Sequence, residues 1–220
     1  MRTRQQVAVL GLGRFGSAVA RELSRLGYDV LAVDVDPRLV QDIADEVTHA
    51  VQADITDQEA LEALGLGSFD VAIIGVSSHL EVSILATVLL RRMGVKRILA
   101  KAGSELHGTI LMQVGASHPI YPERETAIRL ARSFAAAGIE DYLDIAPGYG
   151  LARVHVGTAF ASKTLRDLDL HRTGLTVLAL VRDAVVTLNP NASETLREGD
   201  EIVVAGRDRD LEHLPDAPQS

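Results

Sequence analysis

The sequence predicts an α/β fold: a doubly wound, parallel Rossmann sheet followed by a small α+β C-terminal domain. Three observations carry this expectation. Residues Val7–Asp34 read as strand, glycine turn, amphipathic helix and second strand ending on an acid, the context that gives a G-x-G-x-x-G spacing its meaning. Strand and helix patterns then alternate without interruption to residue 122, which implies parallel strands with helices on both faces. From Gly138 the texture changes to short alternating strands separated by turn residues. The domains are therefore placed at 1–138, including a crossover helix, and 139–220.

In the opening stretch, Val7–Leu10 is the first strand and Arg14–Leu26 the helix. Gly11 makes the turn, Gly13 lets a pyrophosphate approach bare backbone, and Gly16 lets the helix sit close on the sheet. The helix N-terminus offers unpaired N–H groups and the positive end of a dipole. Val30–Val33 is the second strand, and Asp34 at its end can accept hydrogen bonds from a ribose while repelling a 2′-phosphate. Pro37 opens a helix over Pro37–Ala44, and His49–Gln52 is a third strand leading to Asp54. Thr56 is expected to cap the next helix, with Glu59 at capping-box spacing and Gly65 and Gly67 as its end. Val71–Val76 is a continuous apolar run, the pattern of a strand covered on both faces.

The helix His79–Met93 is apolar over most of its circumference and stops at Gly94. Arg97–Ala102, the helix Glu105–Val114 and a short strand His118–Tyr121 complete the sheet. Glu123–Ala137 is a further helix, with Ala127, Leu130, Ala131 and Phe134 along one stripe. It can cross to a partner subunit or lie on its own domain. Beyond it, Asp144–Gly150 is turn-rich. Ala152–Val156, Thr176–Val181 and Ile202–Ala205 are strands, and Leu165–Leu170 is a short helix behind Ser162-Lys163-Thr164. Asn189-Pro190-Asn191 and Glu198-Gly199-Asp200 are turns. Arg207–Leu214 is a last short helix before a frayed tail, Pro215–Ser220.

Composition removes several classes of function. The 220 residues carry a net charge of −8, so no broad basic field is available for nucleic acid. There is no cysteine, which rules out disulfides, thiolate catalysis and Cys-rich zinc sites. Met1–Gln6 leads directly into the first strand and leaves no room for a signal peptide, and no apolar run reaches the roughly 18 residues of a spanning helix. A soluble, cytoplasmic protein is expected.

In a doubly wound sheet, ligands sit beyond the carboxyl ends of the strands. Those ends are Gly11–Gly16 (with Arg14 and Phe15), Asp34–Asp36 (with Val35), Asp54, Val76–Ser78, Lys101–Gly103 and Tyr121–Glu123, which converge on one crevice. Arg14, at the helix mouth, can reach a phosphate bidentately, or stand solvated where the dipole disfavours it. Asp36 and Asp54 can contact ribose or the adenine amino group, and Asp54 can alternatively bond a neighbouring turn at the strand end. Ser77 and Ser78 can face ligand or cap the following helix. Lys101 ends a buried strand, and His107 opens a helix beside the crevice. Glu123 suits a helix N-terminus by itself; beside a polyphosphate it would need Mg²⁺ or another hard cation between. Residues 139–220 contain no recognisable catalytic constellation, so no enzymatic activity is expected. The competing readings are a small NAD-dependent oxidoreductase, which needs a proton-transfer group beside the nicotinamide, and a stand-alone redox or nucleotide sensor.

GLGRFG, VDVD, THAVQADITD and IYPE resemble the N-terminal regulator-of-potassium-conductance (RCK) domain, and SKTLRDLDL and ETLREGDEIVVAG are similar to its C-terminal companion. The resemblance covers nearly the whole chain, in order, and points to the cytosolic regulatory subunits of Ktr/Trk-type potassium uptake systems. One N-lobe and one C-lobe fit the short Ktr type better than the duplicated Trk type. The resemblance implies a homodimer assembling into an octameric ring on a membrane-embedded potassium-translocating subunit, at the cytoplasmic face of the membrane. It implies ATP or ADP in the N-lobe crevice, with NAD(H) as an alternative occupant, ATP favouring the active ring and ADP the inactive one. By motif matching Arg14 contacts phosphate and Asp34 ribose. Asp36, Asp54, Ile55, Val76, Ser77, Ser78, Lys101, Ala102, Gly103 and His107 fall on nucleotide-lining positions. Glu123 matches the acid that holds a metal ion near the γ-phosphate. Ser77 and Ser78 depart from the smaller Gly/Ala pair of some relatives. Some relatives bind cyclic di-AMP between paired C-lobes; here the short helix reads Leu165-Arg166, a charge where an aliphatic residue is expected, and that ligand stays open.

Overall fold

The computed structural model describes residues 5–134 and 139–214. The chain forms two compact units that divide between Pro122 and Glu123. The crossover helix therefore groups with the second unit, whereas the sequence reading counts it with the first. The end of that helix beyond residue 134, the 138/139 boundary and the tail at 215–220 lie outside the described residues.

The first unit runs β1 (Gln6–Leu10), α1 (Arg14–Arg25), β2 (Asp29–Asp34), α2 (Pro37–Ile43), β3 (His49–Gln52) and α3 (Gln58–Ala63). It continues with β4 (Val71–Ile74), α4 (Leu80–Arg92), β5 (Arg97–Lys101), α5 (Glu105–Val114) and β6 (His118–Ile120). The six strands are parallel in the order β3-β2-β1-β4-β5-β6. This is the doubly wound order, with its reversal between β1 and β4. Strand alternation sorts the core into two faces. Ala8, Leu10, Leu31, Val33, Ala72 and Ile74 point to one face, where Leu61 of α3, Ala86 and Leu90 of α4 and Leu111 of α5 cover them. Val7, Val9, Val30, Ala32, Val71 and Ile73 point to the other, under Ala20 of α1 and Ile43 of α2. Each Val or Leu fully buried this way contributes about 1.5–3 kcal/mol.

Predicted boundaries shift by a residue or two, and one cap changes. Asp57, not Thr56, caps α3, its carboxylate accepting from the N–H groups of Glu59 and Ala60. Thr56 is drawn away because its own N–H and hydroxyl both donate to Asp54. β4 ends at Ile74, leaving Gly75 and Val76 as the start of a loop.

The second unit holds α6 (Pro122–Ser133), β7 (Ile139–Ala146), β8 (Tyr149–His155), α7 (Leu165–Leu168), β9 (Thr176–Arg182), β10 (Val185–Leu188), β11 (Glu201–Arg207) and α8 (Asp208–Leu211). Its strands are antiparallel in the order β10-β9-β11-β8-β7. The predicted strand set lacks β7 and β10. β7 runs through Ala146 into a hairpin with β8 at Pro147-Gly148, where Gly148 has φ +78°. The β9–β10 hairpin turns on Asp183 and Ala184, both at positive φ as a two-residue hairpin requires, but without the glycine that would announce it. Thr164 and Asp167 form a reciprocal capping box on α7.

Two arginines hold this unit. Arg132 of α6 stacks 4.8 Å from the Tyr142 ring centroid and pairs with Asp144 and Asp208. The Tyr142 hydroxyl donates to Asp208 at 2.5 Å; burial first, and then that neighbouring carboxylate, push the phenol well above its ordinary range. Arg182 makes a bidentate pair with Asp200 at 2.9 and 2.7 Å, and also reaches Glu194 and the Thr195 carbonyl. Burial by itself would raise the Asp200 carboxyl. The Arg182 side chain and the Arg197 N–H outweigh it and hold the group below the usual carboxylate range. Asp200 is only 2% exposed, so Arg182→Ala strands a buried charge. Chemical denaturation of the full chain should show a loss of about 3 kcal/mol in the transition of this unit.

Candidate functional site

The site is built on a contact between bare backbones. Gly11 leaves β1 at φ +93° and donates its N–H to Val33 O at 2.8 Å. A methyl group at Gly16 would lie 1.8 Å from Gly11 O, and one at Gly75 would lie 2.6 Å from the same oxygen. A methyl at Gly11 would meet Val76 Cγ2 at 2.4 Å. Three glycines thus bring the β1–α1 turn, the first turn of α1 and the end of β4 into contact at the reversal of strand order. Gly75 is a member that the fingerprint spacing does not reveal; it stands inside an apolar run, and its signal is that it ends the strand beside β1. Gly13 is different: a methyl there meets nothing within 4 Å. Its bare face is open.

Around this contact the helix ends differ. α2 is capped by Asp36, α3 by Asp57 and α5 by Ser104. α1 and α4, which flank the reversal, have no side-chain cap: Gly13 and His79 occupy their cap positions. Ser77 and Ser78 do not cap α4. Two helix N-termini therefore reach the carboxyl end of the sheet with N–H groups that no capping side chain uses, and α1 carries no acid in its first turn. Such ends attract anions, phosphates above all.

Asp34 fixes the second side of the crevice. One carboxylate oxygen accepts from Leu12 N–H at 2.6 Å, the other from Asp36 N–H at 2.8 Å. The acid that ends β2 thereby locks the glycine turn to the β2–α2 turn, and each oxygen keeps a lone pair for a hydroxyl. Asp36 is committed locally: its side chain accepts from the side chain and the N–H of Arg38, in that order of effect, and both hold its carboxyl below the usual range. Asp54 is likewise lowered, first by Thr56 N–H and then by its hydroxyl. Asp54 thus bonds a turn, as the alternative reading has it, but the turn is its own, two residues on.

The remaining predicted residues divide by exposure. Arg14, Val35, Ser78 and Gly103 are exposed, and Phe15, Val76 and Ser77 are half-buried. Lys101 Nζ lies 5.9 Å from the Phe15 ring centroid, so the end of β5 does reach the glycine turn. Ile55 (5% exposed) and Ala102 pack in the core, leaving only backbone for a ligand. His107, 2% exposed, does not open into the crevice. Its Nδ1 accepts from Gly103 N–H at 3.2 Å and its Nε2 lies 2.8 Å from Ser83 Oγ. Burial pushes its imidazole below the ordinary value. Glu123 opens α6 and belongs to the second unit. Among the described residues no group of three or more His, Asp or Glu side chains could hold a metal. A cation bound at this crevice would take most of its ligands from phosphate and water.

Strand order, glycine turn and the acid that ends β2 define a Rossmann-type domain. Residues 7–122 match the TrkA-N domain and residues 151–216 the TrkA-C domain. The chain is 36% identical over 203 residues to Ktr system potassium uptake protein A of Vibrio alginolyticus, covering 92% of each chain. It is 34% identical over 209 residues to Ktr system potassium uptake protein C of Bacillus subtilis, covering 94% of this chain and 95% of that one. The chain belongs to the TrkA-N/TrkA-C family that includes these Ktr potassium uptake proteins. Among solved structures, the GsuK RCK domain superposes with TM-score 0.68 at 22% identity, over 99% of this chain and 49% of that one. The GsuK channel bound to NAD gives TM-score 0.67 at 21% identity, over 100% of this chain and 41% of that one. At these identities the likeness is one of fold. No described helix is long and apolar enough to cross a membrane.

Two outcomes follow from the geometry. Gly16→Ala should cost the first unit about 3 kcal/mol, because the methyl meets backbone that cannot give way, while Gly13→Ala should leave the thermal midpoint nearly unchanged. The second concerns pH. The folded-state pKa of His107 is below the ordinary 6.5, so the unfolded chain binds the extra proton first. The stability of this unit should be full above about pH 6.5 and decline as pH falls below it; His107→Asn should flatten that part of the profile.

Proposed function

We propose that this chain is a nucleotide-sensing regulatory subunit of a Ktr-type potassium uptake system. The observation that carries the reading is the pair of uncapped helix N-termini at the strand-order reversal, with open Gly13 and Asp34 beside them. The names of the curated relatives, potassium uptake proteins matched over nearly their whole length, support the physiological setting. ATP or ADP occupies the crevice, with NAD(H) competing for the same position: phosphates at Gly13 and Arg14, ribose at Asp34, and Lys101 near the phosphate chain. Mg²⁺ or another hard cation joins the terminal phosphate to Glu123, and is weakened when ADP replaces ATP. The subunit pairs as a homodimer and assembles as an octameric ring on a membrane-embedded potassium-translocating partner, which keeps it at the cytoplasmic face of the membrane. It performs no chemistry on the nucleotide. Cyclic di-AMP is the second ligand to test, at paired C-terminal domains near Leu165 and Arg166.

Such a switch works only if the ligands discriminate between two ring shapes; a tenfold difference in affinity supplies about 1.4 kcal/mol of bias. Calorimetric titration of the full chain with ATP, ADP and NADH, each with and without Mg²⁺, tests this. ATP and ADP should both bind, Mg²⁺ should strengthen ATP more than ADP, and Gly13→Ala should weaken both nucleotides by about tenfold or more while the fold persists. Binding confined to NADH and indifferent to Mg²⁺ would replace this reading with a redox sensor or a dehydrogenase.

A further inference from the structure

His107 bonds one of two loops that wall the crevice and that approach each other beside it. Gly103 follows β5 and precedes α5; Ser77 belongs to the loop before α4, and its carbonyl oxygen would lie 3.6 Å from a methyl placed on Gly103. Hydrogen-bond donors determine the state of the imidazole between them. Gly103 N–H can only donate, so Nδ1 accepts and carries no proton. The neutral ring then bears its hydrogen on Nε2 and donates to Ser83 Oγ, which spends its single hydrogen on Leu80 O at 2.9 Å. Leu80 is the first residue of α4. One continuous chain of hydrogen bonds therefore runs from Gly103 N–H through His107 and Ser83 to the opening turn of the uncapped helix. Ser104 Oγ accepts from His107 N–H at 3.2 Å and fixes the residue's own backbone in α5. The His107 and Ser83 side chains at the centre of this network are buried and fully satisfied, which makes that part of it stiff.

We infer that His107 is a positioning residue: it sets the separation of the Val76–Ser78 and Lys101–Gly103 loops, and through it nucleotide affinity, without touching the nucleotide. The inference rests on the nucleotide reading above and corrects the placement of His107 among the lining residues. It also gives a reason for histidine over another polar side chain. The ring holds its acceptor and its donor rigidly and in diverging directions, whereas the two groups of an amide lie elsewhere on a chain that turns about its bonds.

Two replacements separate the two links. His107→Asn puts an amide oxygen at the position of Nδ1 and keeps the acceptor for Gly103. His107→Gln can reach Ser83 and lacks that acceptor. Amide hydrogen exchange of Gly103, measured by NMR on the full chain without nucleotide, should quicken by about tenfold in His107→Gln and little in His107→Asn. ADP affinity by calorimetry should fall about tenfold in His107→Gln and stay within about threefold of wild type in His107→Asn, at comparable thermal midpoints. Ser83→Ala, which retains the ring, should shift both readouts in the same direction by less, and serves if His107→Gln fails to fold. Unchanged Gly103 exchange in His107→Gln, or in Ser83→Ala where that variant must stand in, would overturn the hydrogen-bond chain. Equal ADP affinities in the two His107 variants would overturn its bearing on the nucleotide. A wild-type chain that binds neither ATP, ADP nor NADH, yet shows the exchange pattern, sinks the functional reading and leaves the chain of hydrogen bonds standing.

Discussion

The first unit depends on one contact: the carbonyl oxygen of Gly11 lies where a side chain on either Gly16 or Gly75 would have to go. Protein interiors are packed too densely for such a conflict to relax cheaply. With all three glycines present, α1 settles onto β1 and β2 with its first turn against the end of β4, and directs its first N–H groups at the carboxyl end of the sheet. Every later feature of the crevice inherits its position from this approach. Val76 is held against Gly11, the loop before α4 begins at Gly75, and the open face of Gly13 is exposed because the turn cannot move inward.

The electrostatics of the crevice follow from which helix ends are satisfied. Capping side chains complete α2, α3 and α5, so their N-termini are spent on the fold. Those of α1 and α4 are not, at the one place where sheet topology opens a cleft. Asp34 does double service, bonding Leu12 and Asp36 through backbone N–H groups while keeping lone pairs outward. Its neighbours Asp36 and Asp54, which look equivalent in the sequence, are absorbed by turns. Both carboxylates are held in place by these bonds, and Asp36 is in addition paired with the charge of Arg38.

The second unit is stabilised in another way. Its five antiparallel strands bury one face around Ile202, Val204, Val154 and Leu180, and its loops are tied down by Arg182 and Arg132 rather than by further core. Arg182 joins β9 to the turns before β11 through a nearly buried carboxylate. Arg132 joins α6 to β7 and α8 through an aromatic ring and two acids. Planar, permanently charged guanidinium groups suit both tasks, since each bonds several partners in fixed directions.

The sequence by itself determined the α/β alternation, the parallel doubly wound sheet it implies and the glycine turn, because hydrophobic periodicity and the steric demands of glycine are local properties. Val71–Val76 reads as a strand covered on both faces, and its first four residues, Val71–Ile74, form such a strand. It determined much less where competition between neighbours decides. Thr56 carries a capping-box signature, yet Asp54 takes its donors and Asp57 caps the helix. β10 was hidden because its hairpin turns on Asp183 and Ala184, whose positive φ values come from strand pairing rather than from turn residues. His107, Ile55 and Ala102 count as nucleotide-lining positions through the family resemblance, and no local signal in the sequence says which way their side chains face. Only the tertiary structure shows that their side chains face inward, and that Gly75, sixty residues from the fingerprint in the chain, completes it. Such contacts join residues far apart in the sequence, where no periodicity records which of them will meet.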